Sequence, residues 1–306
     1  MLVCAAVLVG CATRPPVLAV RDAAHQRVEL AATPFFPQER YHCGPAALAT
    51  VLAASGVNVT ADQLVDRVYL PDRRGSLQPE LIGASRSYDR LAYRLEPDIR
   101  AITAELAAGR PVLVLQNLGL KRLPIWHYAV VVGFDEGTDH LVLRSGTTER
   151  LLMSGHRFID AWDRAGRWGI VTVMPGDFPA EPNQDRYLEA AAGLESAGRY
   201  DAAMKAYDAA VARWPGAGTA LLGIGNVHYR RHALEEAEQA YRRLLELDPG
   251  HAVARNNLAQ VLLERGDAEA ALKEITAARA ALSDKRFFEL LRDTEAEIRR
   301  SLAAPK

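Results

Sequence analysis

PQERYHCGPAALATVL, running from Pro37 to Leu52, sets one cysteine directly before Gly44-Pro45 and a run of strong helix formers. Proline is tolerated in the first helical turn, where its missing N–H leaves no hydrogen bond unmade. The spacing therefore predicts a helix that begins at Cys43. A thiol at that position faces unpaired backbone N–H groups and the positive end of the helix dipole, an arrangement expected to lower its pKa. Gln38 lies just upstream. Its amide can donate to the oxyanion that forms when a thiolate attacks a carbonyl, alongside the backbone N–H of Cys43. Such a nucleophile needs a base. Of the eight histidines, His127 is the best placed, because it opens the apolar strand WHYAVVVGFD. His42 adjoins the cysteine, but neighbouring side chains on a turn point apart. His140 falls in an Asp-His turn, and His156 in a Ser-Gly-His-Arg loop.

The chain as a whole narrows the setting. Its 306 residues suffice for two domains, and 49% hydrophobic with 25% charged residues is a globular composition. A formal net charge of −1 argues against a nucleic-acid binder. No run approaches the roughly 18 consecutive apolar residues of a membrane-spanning helix. The start, MLVCAAVLVGCATRPP, is a short apolar segment that ends in small residues before Cys11, as in secretory signals. Leu8-Val9-Gly10-Cys11 resembles the bacterial lipoprotein lipobox, whose cysteine is diacylated. That resemblance implies a signal segment over residues 1–11 and a lipid anchor at Cys11. With Ala12 following, it also implies sorting to the outer membrane, facing the periplasm. Cys4 would leave with the signal, so Cys43 would be the one free thiol in an oxidising compartment. No Cys-x-x-Cys or Cys/His cluster offers a metal site, and no cofactor is expected.

Two grammars divide the rest. Between about 30 and 175, TADQLVDRVY reads as a helix capped by Thr60, and PDIRAITAELAAG as a helix with Pro97 before it and Gly109 after it. PVLVLQN, WHYAVVVGFD, HLVLRSG and WGIVTVMP then read as strands. This predicts an α+β domain over 30–175, with helices packed on an antiparallel sheet. PGDFPAEPNQ, with three prolines, marks a linker over 176–183. Beyond it Ala203, Ala237 and Ala271 recur every 34 residues, as do Tyr207, Tyr241 and Ile275. Pro215 and Pro249 keep the interval, with Ser283 in the third slot, and Gly198 and Gly266 mark inner turns. That period is the tetratricopeptide (TPR) signature, in which small residues let helices approach and Pro ends the second helix. Three repeats and a capping helix are expected over 184–302, an all-α solenoid. Its register turns Asn226, Tyr229, Arg230, Asn256 and Gln260 towards a groove that can hold a protein partner.

Together, PQERYHCGPAALATVL and WHYAVVVGFD resemble the bacteriocin-processing-type cysteine peptidases, a branch of the papain-like fold. The resemblance covers residues 33 to 175. It implies a thiol peptidase acting on peptide or protein substrates, with Gln38 in the oxyanion hole, Cys43 as nucleophile and His127 as base. The family sets an Asp on the following strand to orient the imidazole. Here HLVLRSGTTER sets Ser145-Gly146 at that place, and Asp135, Asn117 or Gln116 could substitute. A serine accepts the ring N–H but stabilises an imidazolium less than a carboxylate does. The chain has no phosphate-binding loop of the kind the transporter-linked members carry. Three functions are thus expected in turn: a membrane-anchored cysteine peptidase whose repeats dock a substrate or partner; a papain-like binding module without activity; and amide-forming acyl transfer by the same Cys-His pair.

Overall fold

The computed structural model describes residues 15–18, 26–38, 41–281 and 288–303. Cys4, Cys11 and Ser283 lie outside these. The chain starts its sheet with β1 (Arg27–Glu29), then places three helices, α1 (Cys43–Ala54), α2 (Asp62–Val68) and α3 (Gln78–Ser87). Strand β2 (Leu91–Arg94) and helix α4 (Ile99–Ala107) follow, then β3 (Val112–Asn117), β4 (Trp126–Asp135), β5 (His140–Ser145) and β6 (Thr148–Ser154). Helix α5 (Gly155–Asp163) and strand β7 (Gly169–Val173) close the unit. The sheet is antiparallel in the order β2-β7-β3-β4-β5-β6, with β1 added on β4.

Strand alternation gives the sheet two apolar faces. Leu113, Leu115, Tyr128, Val130 and Ile170 face α1 to α3, which contribute Leu48, Leu52, Leu64 and Leu81. Val112, Val114, Ala129, Val131 and Val171 face α4 and α5 on the other side, with Ile102, Phe158 and Trp162. Helix α1 is buried along most of its length, so it carries no polar stripe. The Thr172 hydroxyl donates to the Val51 carbonyl at 3.0 Å and pins α1 to β7. The helix that holds Cys43 is thus part of the core, and its first residue cannot drift.

Several elements depart from the sequence reading. Helices cover both faces of the sheet, and β1, β2, β6 and α5 were not expected. His156 sits in the first turn of α5 rather than in a loop. The N-cap of α2 is Ala61, not Thr60. Thr60 instead donates its backbone N–H to Gln63 Oε1 at 2.9 Å, which satisfies that donor without a hydroxyl cap. The helix α4 keeps its expected ends: Asp98 accepts the Arg100 N–H at its start, and Gly109 follows it.

The repeat half comprises α6 (Gln184–Ser196), α7 (Tyr200–Arg213), α8 (Gly218–Arg230), α9 (Leu234–Leu247), α10 (Ala252–Glu264), α11 (Ala268–Ala281) and α12 (Phe288–Ala303). Ala203, Ala237 and Ala271 are fully buried where helices cross. Tyr207 and Tyr241 lie so close to Gly223 and Gly225 that a Cβ at either glycine would collide with the ring. Gly198 and Gly266 hold left-handed turns at φ 70° and 86°, and His232 fills the same place in the middle repeat at φ 57°.

The two halves share one core. Tyr187, Leu188 and Ala191 of α6 join Leu91 and Tyr93 of β2 in the same buried cluster. The Asn183 N–H donates to Tyr93 Oη at 2.9 Å, and Arg186 donates to the Leu95 carbonyl at 2.9 Å. Glu105, 1% exposed, accepts from Arg110 at 2.6 Å and from the Ala180 N–H at 2.7 Å. Glu105→Ala leaves both donors without that acceptor, so it is expected to lower unfolding free energy by about 2–3 kcal/mol. Urea denaturation followed by circular dichroism reads the loss, and an unchanged midpoint would deny the bridge a structural role.

Candidate active site

Helix α1, the β3–β4 end of the sheet and the segment before α1 meet at one cleft of about 830 Å³. Gln38, Cys43 and His127 all line it. Gln38 and Cys43 also border a small cavity behind the cleft, together with Ser145 and Gly146. The structure therefore places Gln38, Cys43, His127 and Ser145 around these two adjoining cavities.

Each is held from outside itself. The Gln38 N–H donates to the Gly146 carbonyl at 3.1 Å, tying the segment before α1 to the β5–β6 turn. Arg144 reinforces that tie, since its guanidinium donates to the carbonyls of Ala31 at 3.0 Å and Thr33 at 3.1 Å. The backbone N–H groups of Tyr128, the residue after His127, and of Gly44 and Cys43 itself favour the charged form of the Cys43 thiol. His127 Nε2 is 2.8 Å from Ser145 Oγ. That contact engages one ring nitrogen from the neighbouring strand. His42 is turned away, its ring 4.9 Å from that of Tyr69 in an edge-on contact.

The other orienting candidates differ in how they are engaged. Gln116 stands opposite His127 in the strand register; its Nε2 donates to Met153 Sδ at 3.7 Å, while its buried Oε1 has no hydrogen-bond partner. Asn117 Oδ1 accepts from the N–H groups of Gly119 and Ile125, each at 3.0 Å. Asp135 sits at the far end of β4, opposite His140.

One electrostatic expectation is overturned. Burial pushes the Cys43 thiol up from its ordinary value, although the N–H groups of Tyr128, Gly44 and Cys43 pull the other way. Burial likewise pushes the His127 imidazole down. Desolvation penalises both charged forms, so burial favours a neutral thiol and a neutral imidazole. The helix-start effect is outweighed here because Cys43 is half-buried between the cleft and the edge of the core. Iodoacetamide alkylation of Cys43 is accordingly expected to be slower than that of a free thiol at pH 7 and to rise through and beyond pH 9.0, the ordinary thiol value. A midpoint well below neutrality would instead mark a thiolate–imidazolium pair.

Arg144, Ser76 and the Tyr128 backbone were missed by the sequence reading. Ser76 packs against Gly44, where a Cβ would collide with it, so the glycine after the cysteine admits the 71–76 turn over the helix start. Nothing local to Ser76 signals this contact. Among the described residues no group of His, Cys, Asp and Glu could hold a metal, and no helix is long and apolar enough to cross a membrane.

In the repeats, Arg230 is exposed, while Tyr229 donates its hydroxyl to Glu264. Gln260 is half-buried. Asn226 Oδ1 accepts from Tyr241 Oη at 2.9 Å and from Asn257 Nδ2 at 3.1 Å, so its carbonyl serves the packing. Asn256 departs from its expected place in a groove, for it is 2% exposed. Helix α10 packs against α8, α9, α11 and α12, which leaves that side chain no path to a partner.

The pattern of the Peptidase_C39 like family matches residues 30–167, and tetratricopeptide repeat patterns match residues 188–252 and 230–293. The first half of the chain, an antiparallel sheet with helices, is thus similar to the C39-like peptidases, and the helical second half to tetratricopeptide repeats. Among solved structures it is similar to a chain from Bacillus anthracis described as C39-like, at 18% identity, over 48% of this chain and 98% of that one, with a TM-score of 0.41. It is also similar to the Yersinia enterocolitica type III secretion chaperone SycD in complex with a peptide of the translocator YopD. Identity there is 19%, over 39% of this chain and 93% of the other, with a TM-score of 0.36. The TPR2B domain of yeast Sti1 in its pHsp70 complex is similar at 15% identity, over 38% and 96% of the two chains, with a TM-score of 0.36. No curated protein matches the chain.

Proposed function

We propose that the protein is a cysteine peptidase in which Cys43 attacks, His127 transfers the proton, Gln38 stabilises the oxyanion and Ser145 orients the imidazole. The observation that carries this reading is one shared cleft. Cys43, His127 and Gln38 line the same cleft, and His127 contacts Ser145 at 2.8 Å. Because burial favours the neutral pair, attack and proton transfer are coupled: the thiol proton moves to His127 Nδ1 as sulfur bonds to the peptide carbonyl carbon. The negative charge goes to the carbonyl oxygen, where the Gln38 amide and the Cys43 N–H can meet it. The C–N bond then breaks, and His127 gives its proton to the leaving amine. Water, deprotonated by His127, releases the acid and restores the thiol.

One observation favours the second reading, a peptide-binding module with little or no activity. His127 has a hydroxyl where a carboxylate would fix the tautomer, and a hydroxyl can donate as readily as it accepts. Mass spectrometry after incubation with unfolded protein separates the readings. Two fragments whose masses sum to substrate plus water support hydrolysis, unchanged substrate supports the binding module, and a new amide supports acyl transfer. We further propose that the repeats dock a protein substrate or partner, and that Cys11 carries a lipid anchor in the outer membrane, facing the periplasm. Partition into the detergent phase of Triton X-114, lost on Cys11→Ala, tests the anchor.

A further inference from the structure

The cleft around Cys43 has two chemically different walls. On the helix side, the turn over residues 71–76 folds across the start of α1 and brings Arg73 and Arg74 to the cleft. Both arginines are exposed, and neither forms an ion pair among the described residues. Among the described residues that line the cleft there is no Asp or Glu, although the chain as a whole has a net charge of −1. Beside them the Ser76 hydroxyl is buried without a hydrogen-bond partner.

On the sheet side stands the β3–β4 hairpin. Leu118, Leu120, Leu123, Ile125 and Trp126 are 46%, 70%, 73%, 61% and 54% exposed, and Leu118, Ile125 and Trp126 line the cleft. The hairpin is braced: Leu120 and Leu123 exchange backbone hydrogen bonds at 3.1 and 3.2 Å, and Asn117 clamps its base. Exposed Lys121 and Arg122 interrupt these apolar residues at the hairpin tip, so the part that flanks the cleft is Leu118, Ile125 and Trp126, an apolar patch of the kind a ligand covers.

Resting on the hydrolytic reading, the two walls acquire a direction. His127 must hand its proton to the leaving nitrogen, so the residues continuous with it, Trp126 and the hairpin, flank the amine side of the scissile bond. The Arg73–Arg74 turn, packed on the helix start, flanks the acyl side. We propose that the substrate is a peptide with an acidic side chain N-terminal to the scissile bond and an apolar residue just C-terminal to it.

Four internally quenched peptides, acidic or basic on the acyl side and apolar or polar on the amine side, test this with the full chain. The acidic–apolar peptide is expected to be cleaved about tenfold faster in kcat/KM than its basic counterpart, and less so as salt rises. In Arg73→Glu/Arg74→Glu the charge preference reverses, and in Ile125→Ser the apolar preference falls. Equal cleavage of acidic and basic peptides, or a preference that survives charge reversal, overturns the proposal while hydrolysis stands. Fluorescence anisotropy on Cys43→Ala separates the two claims. If the wild type cleaves nothing yet this variant binds the acidic–apolar peptide best, the substrate preference stands and hydrolysis falls. Indifferent binding without cleavage sinks both. Binding of anionic phosphatidylglycerol vesicles that Leu120→Ser/Leu123→Ser abolishes, with no peptide preference, would assign the hairpin to a membrane and overturn the proposal.

Discussion

Cys43→Ala is expected to remove peptide hydrolysis altogether, and His127→Ala to lower kcat/KM by about 10³- to 10⁴-fold. Both effects follow from burial, which favours a neutral pair. Without the thiol no acyl-enzyme can form. Without the imidazole, the raised thiol pKa leaves almost no thiolate near neutral pH, and the leaving amine has no proton donor. Neither change should unfold the domain. Cys43 only packs against the edge of a cluster built by larger residues, and the His127 ring has one side-chain hydrogen bond, to Ser145. Progress curves with a quenched peptide, alongside circular dichroism for fold, measure both. Hydrolysis undiminished in His127→Ala would remove this residue from the reaction.

The second large effect is a gain. Ser145→Asp is expected to raise kcat about 10- to 100-fold. A carboxylate 18 positions along the chain, beside Nε2, can only accept, so it fixes the proton on Nε2 and leaves Nδ1 as the base. It also raises the imidazole pKa by favouring the charged form, and the imidazolium in turn draws the thiol pKa down. The alkylation midpoint should therefore move to lower pH in the same variant. A kcat and an alkylation profile both unchanged would mean that Ser145 does not orient the ring.

Legibility in the sequence followed how local each cause was. Cys43, Gln38 and His127 were readable because helix start, upstream amide and strand opening are short-range patterns. The repeats were readable because Ala203, Ala237 and Ala271 report one crossing geometry three times. β6 was not, because residues 148–152 are largely exposed and TERLLMS never alternates cleanly. The helix α5 hid behind Gly155-His156, although Phe158, Ala161 and Trp162 carry its buried face. The thiol pKa and Asn256 were misread for a shared reason. Both depend on which neighbours cover a residue, and coverage by α2, α3 or α12 is written nowhere near Cys43 or Asn256.

The core common to β2 and α6 has a bearing on reach. A docking module on a flexible tether samples a volume set by the tether's length, so whatever it captures arrives at the reactive centre from many directions. Here the helices bury Tyr187 and Leu188 against Tyr93, so under the proposed peptidase reading no slack lies between capture and cutting. Any searching must then be done by the captured chain itself. The distance from its held portion to its nearest cleavable bond becomes a ruler, one marked in residues of the substrate rather than of the enzyme.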